Sequence, residues 1–152
     1  MVQIKNIFDP APTEEILTRI GQLQPDAEPS WGKMNVAQML AHCSAFQDIA
    51  TGDSVSPRSW LGIVVGRLAK PVFYNDKPLP RDMSTIPTLI ITDPQAFDAE
   101  KAILRQKLEK LQSIGPDKQP LHPHPFFGKL SAEEWGKGIY KHLDHHLNQF
   151  GV

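Results

Sequence analysis

The stretch Ser131–Phe150, SAEEWGKGIYKHLDHHLNQF, decides the fold: it reads as one amphipathic helix and carries three of the chain's six histidines. Ser131 and Glu134 stand in the S-x-x-E form of a capping box, in which each side chain satisfies a free backbone N–H of the other's residue. No proline follows before the C-terminus, so a helix can run on to Phe150. At about 100° per residue, with Trp135 as zero, Ile139, Phe150 and Leu143 form an apolar stripe between roughly +40° and +80°. His142 falls at about −20° and His146 at about +20°, within that stripe, whereas His145 lies at about −80°, near its edge, and Asp144 at about 180°. His142 and His146 are therefore one turn apart on the inward face, the spacing by which two imidazoles can grip one metal ion. Leu143 stands where zinc-protease helices carry a catalytic Glu, so the pair alone is half a site and a third ligand must come from elsewhere.

A helix with one apolar stripe needs partners, and proline shows where they lie. The chain has 14 prolines, against an average share of about 5%, and helices are confined to the stretches between them. The first helix is expected from Thr13, as N-cap after Pro12, to about Leu23. The second starts at Asn35 as N-cap and runs to about Thr51, with Gly52 just beyond it. Val36, Met39, Leu40, Cys43, Phe46 and Ala50 give it one stripe. A third main helix starts with Asp93 as N-cap and Pro94 at its first position, and Gly115-Pro116 stops it after Ile114. Arg58 to Lys70 reads as a further short helix, and Pro71 to Thr92 as extended or irregular chain. The fold class is all-α: four main helices packed as a bundle, with a long crossover between the second and third.

The 152 residues form a single domain, 1–152, large enough for a real core. The net charge of −1 gives no basic surface for nucleic acid or an acidic membrane. One cysteine, Cys43, allows no intrachain disulfide and suits a reducing compartment. The start Met1-Val2-Gln3-Ile4-Lys5 lacks the pattern of a signal peptide, and the most apolar run, Leu61 to Val65, is far short of a membrane span. The expectation is a soluble cytoplasmic protein.

The third ligand is best sought in His42, the only histidine outside the last 31 residues. It lies on the second helix beside Met39 and Phe46, but roughly 100° from the middle of that helix's stripe, an edge position. Facing helices of a bundle commonly supply metal ligands, and three neutral imidazoles with one open position is the composition of a catalytic zinc site. Gln149, one turn beyond His146, is placed to orient a ligand ring or a bound water. Two buried imidazoles, His142 and His146, without partners would be costly, so the alternative to a metal is a polar histidine network in the core. His122 and His124 belong to a Pro-rich loop and read first as structural or surface residues. Cys43 has core periodicity and reads as an inert thiol. Trp31 and Trp135 read as core packing, and Arg67 with Lys70 as a solvated face. Asp48, His145 and His124 are the remaining candidates for a catalytic acid or base.

Taken together, Trp31-Gly32-Lys33-Met34, Gln38-Met39-Leu40-Ala41-His42 and His142-x-x-His145-His146-x-x-Gln149 resemble the DinB/YfiT-like superfamily of metalloenzymes. The runs His124-Pro125-Phe126-Phe127-Gly128-Lys129-Leu130, Glu134-Trp135-Gly136 and Tyr140-Lys141-His142-Leu143-Asp144-His145-His146 resemble one uncharacterised branch of it. The likeness spans about residues 5 to 152. It implies a four-helix bundle with up-down-down-up topology and a divalent ion, zinc or nickel, on His42, His142 and His146. It further implies a small-molecule substrate, with thiol-dependent S-transfer involving a low-molecular-weight thiol as one activity and a homodimer as one assembly. A metal-dependent hydrolase and a non-catalytic metal- or ligand-binding bundle are the alternatives. The loop His124–Gly128 is not part of the general superfamily pattern, so the likeness does not supply a substrate.

Overall fold

A computed structural model of the protein describes residues 4–81 and 83–152. Residues 1–3, on which the expectation of no leader partly rests, lie outside them. The described residues form five α-helices and no strand: α1 (Pro10–Gln22), α2 (Val36–Thr51), α3 (Trp60–Phe73), α4 (Phe97–Ile114) and α5 (Ala132–Gln149). A single 3-10 turn, Pro87–Leu89, lies between α3 and α4. Helices α2 and α4 pack most extensively, α1 bridges α4 and α5, and α5 closes on α2. Their shared core holds Ile16, Ile20, Met39, Leu40, Leu104, Leu108, Trp135, Ile139, Leu143 and Leu147, each almost wholly buried.

Local chemistry sets the helix ends. Ser131 accepts from the Glu134 amide at 3.1 Å while the Glu134 carboxylate accepts from the Ser131 amide at 2.8 Å, the capping box expected from the sequence. Asn35 and Gln38 build the same device at the start of α2, and Gly52, at φ 81°, ends that helix in the left-handed conformation. Two of the main helices start elsewhere than the sequence reading places them, and α3 begins at Trp60 behind Ser59, not at Arg58. Helix α1 begins at Pro10 behind Asp9, not at Thr13, because a proline in the first turn lacks only an N–H that would have no partner there. The Thr13 hydroxyl instead donates to the carbonyls of Ile7 and Asp9. Helix α4 begins at Phe97, not behind Asp93. The Thr92 and Asp93 carbonyls accept from the Gln38 amide at 3.1 and 3.4 Å, which ties this segment to the start of α2.

Helix α3 stands apart from that core. It extends past the expected Lys70 end, through Pro71, to Phe73. It rests on the rest of the chain through Gly62 and Gly66, where an added Cβ would meet the Phe126 carbonyl and backbone. Its far end is fixed by Lys141, whose amine donates to the carbonyls of Phe73 at 2.6 Å and Asn75 at 2.7 Å. That places a cation on the C-terminal carbonyls of a helix, the favourable end of its dipole. The face turned away is apolar: Trp60, Val64 and Leu68 are 76%, 68% and 79% exposed.

Candidate metal centre

Helices α2 and α5 bring His42, His142 and His146 together, with one ring nitrogen of each within 4.8 Å of the others. All three are buried. The edge position of His42 on its helix becomes an interior one because the 3-10 turn packs over that side of α2. Leu89, in that turn, presents its carbonyl to His42 Nδ1 at 2.8 Å.

Hydrogen bonds fix two of the three tautomers. A carbonyl only accepts, so His42 carries its proton on Nδ1 and directs the Nε2 lone pair inward. Gln149 Nε2 donates to the Trp31 carbonyl at 2.6 Å, which leaves its Oε1 as acceptor for His146 Nδ1 at 2.8 Å. His146 therefore also presents an unprotonated Nε2. His142 Nε2 lies 3.0 Å from His42 Nε2, and its buried Nδ1 has no partner among the described residues. Two nitrogens at that separation are bridged in one of two ways: by a neutral hydrogen bond, with the ring proton on His142 Nε2, or by a metal ion on both lone pairs. Phe46 stacks on the His142 ring at 4.3 Å and 24°, holding its plane.

Electrostatics keep the cluster neutral. Burial lowers the pKa of His42 below the usual imidazole value, although the Leu89 carbonyl opposes the shift. Burial drives His142 well below it, helped by the neighbouring imidazoles. His146 is lowered to about 3, chiefly by burial and then by His42, against the opposing bond from Gln149. Three buried imidazoles, kept neutral and with ring nitrogens converging from two helices, could hold a metal ion. Each hydrogen-bonded ring has the outer partner such sites use to set orientation: a backbone carbonyl for His42 and a side-chain amide for His146.

The other sequence candidates fall outside the cluster. His145 is half-buried, its ring 5.0 Å from His146 and 5.5 Å from Trp31, at the rim. His124 is an anchor of its own loop. Its Nδ1 accepts from the amides of Phe126 at 3.0 Å and Phe127 at 3.1 Å, and its backbone pairs with Gly128. Burial and the Arg58 charge lower its pKa to about 4. Asp48 pairs with Lys107 on α4 and takes no part in the cluster. It lines a cleft of about 660 Å³ on the α4 side of α2, which contains none of the three histidines. Cys43 is fully enclosed, and burial pushes its thiol up, as its core periodicity implied. Trp135 is core, donating to the His122 carbonyl at 2.9 Å, but Trp31 is only half-buried.

Two supporting groups gave no side-chain signal in the sequence. The Leu89 and Trp31 carbonyls act through the backbone, which every residue carries. Gly32 left a trace as a glycine in a turn: at φ 83°, an added Cβ would lie 2.7 Å from Gln149 Nε2. The small residue is what lets Gln149 reach Trp31.

The fold and cluster thus define an all-α protein with a buried three-imidazole site. The chain belongs to DUF1569, a protein family of unknown function, which it matches over residues 9–151. No curated protein and no solved structure matches it. No helix among the described residues is long and apolar enough to cross a membrane.

Proposed function

We propose that the protein is a divalent-metal-dependent enzyme of the DinB/YfiT-like kind, with His42, His142 and His146 as the ligands. The observation that carries this is the convergence of two hydrogen-bond-fixed lone pairs, on His42 Nε2 and His146 Nε2, around the His142 ring. In this reading α1, α2, α4 and α5 are the four helices of an up-down-down-up bundle, and residues 52–96 are its crossover. A bound zinc or nickel ion would supply Lewis acidity, lowering the pKa of a water or thiol in the position left open. The chain's own contribution is placement. Leu89 and Gln149 hold two rings in register, Phe46 holds the third, and the apolar walls keep the imidazoles unprotonated.

The reaction proposed is S-transfer from a low-molecular-weight thiol to a small electrophile, in the cytoplasm. Metal-dependent hydrolysis is the second reading and uses the same open position for water. A non-catalytic metal- or ligand-binding bundle is the third. Zinc- or nickel-loaded protein, screened with thiols and small electrophiles beside His42→Ala, separates them. A rate lost in the variant supports catalysis, and equal rates in both refute it. Turnover without added thiol selects the hydrolase.

A homodimer is also proposed, through the outward face of α3. Five large apolar side chains, Trp60, Leu61, Ile63, Val64 and Leu68, are exposed on this one helix, more than a solvated face carries. Sedimentation of the wild type as a dimer and of Trp60→Ser/Leu68→Ser as a monomer is the expected result; a monomeric wild type refutes it.

A further inference from the structure

Beside the three-histidine cluster lies a group of side chains that the metal reading does not use. The Arg81 guanidinium stacks over the Trp31 ring, its central carbon 4.5 Å from the centroid. A guanidinium over an aromatic face finds no conventional hydrogen-bond acceptor there, so its N–H donors remain available to another group. No carboxylate of the described residues lies within ion-pair distance of Arg81. The indole Nε1 of Trp31 is buried and likewise has no acceptor among the described residues. Two donor groups thus stand together without an acceptor among the described residues.

Their position relative to the histidines is fixed. Trp31 lies 5.5 Å from His145, and His145 5.0 Å from His146. The Trp31 carbonyl is bonded to Gln149, which is itself bonded to His146, so the indole and the ligand ring share one tether. An acceptor-only group with two oxygens complements this arrangement. A carboxylate meets that description, since the guanidinium fork matches it through two parallel N–H···O bonds.

We propose that Arg81 and Trp31 form the recognition end of the site, so that its ligand is a small molecule bearing a carboxylate. The molecule's donor atom reaches the open position at the histidines while its carboxylate rests on Arg81. This rests on the metal-site reading above and adds a substrate class to it.

The test uses cobalt(II)-loaded protein, whose visible absorption reports what enters the coordination sphere. 3-Mercaptopropionate is titrated against its uncharged amide, 3-mercaptopropanamide, in wild type and Arg81→Gln. The expected result is at least tenfold tighter binding of the carboxylate by the wild type. In Arg81→Gln the preference shrinks to within about twofold, while cobalt uptake and its spectrum before ligand are unchanged. Equal affinities in the wild type, or a preference retained in the variant, overturn the proposal and leave the metal site standing. A wild type that takes up no cobalt overturns the metal reading itself, and this proposal with it.

Discussion

Gln149 joins the fold to the candidate metal centre, and its removal has a calculable effect. Gln149→Ala leaves the His146 Nδ1–H without its acceptor at 2.8 Å and the Trp31 carbonyl without its donor at 2.6 Å. Gln149 is 3% exposed and its bond to His146 is buried, so water does not readily replace that bond. A buried polar group left unpaired costs about 1–3 kcal/mol, which sets the loss from His146 in the metal-free protein, and the part-buried Trp31 carbonyl adds no more than that again. Freed from its amide, the His146 ring can also turn or shift its proton to Nε2, the atom needed for the ion. Loss of such an outer partner costs about 10–100-fold in metal affinity. Gln149→Glu separates the two effects. Its carboxylate still accepts from His146 but faces the Trp31 carbonyl with a second acceptor, so stability falls while affinity is largely kept. Urea unfolding of metal-free protein gives the first quantity, and zinc competition against a chromophoric chelator the second. Affinity in Gln149→Ala within about twofold of wild type would show that His146 does not need this bond to act as a ligand, and the reasoning would fail.

Further outcomes follow from other parts of the molecule. Gly62→Ala should destabilise by about 1–3 kcal/mol, although alanine is the better helix former, because its Cβ meets the Phe126 backbone; a gain in chemical-denaturation stability would contradict the packing of α3. Lys141→Met should destabilise by about 1–3 kcal/mol, read in the same assay, since the carbonyls of Phe73 and Asn75 lose a buried cationic donor. The His124 pKa is about 4 in the folded protein and near 6.5 unfolded, so its contribution is fully present above pH 6.5 and is lost as pH falls towards 4. That difference of about 2.5 units limits its share of the acid destabilisation to about 3 kcal/mol, and His124→Asn should flatten the stability–pH slope between pH 6 and 4.

The helices were legible where capping and proline act locally. Ser131/Glu134 and Asn35/Gln38 mark the starts of α5 and α2 because both partners of each box lie within four residues. Thr13 and Asp93 misled for the opposite reason: prolines are tolerated in a first turn, so α1 starts at Pro10 ahead of Thr13, and Asp93 is held by Gln38 from another helix. Helix phase on α5 distinguished His142 and His146 from His145, since 18 residues at one pitch leave little freedom. His42 was harder to place by phase alone, because what buries it is Leu89, 47 residues away. The pairing of Trp31 with Arg81 was not legible, because it joins residues 50 positions apart in the chain.

The most direct measurement is the metal content of protein purified without a histidine tag, incubated with zinc or nickel, freed of loose ions and analysed for metal. The account predicts about one equivalent per chain in the wild type and a loss of most of it in His42→Ala and His146→Ala, with helical content retained. Less than about one-tenth of an equivalent in the wild type, unchanged by His146→Ala, would make the cluster a proton-sharing histidine network and contradict the central claim.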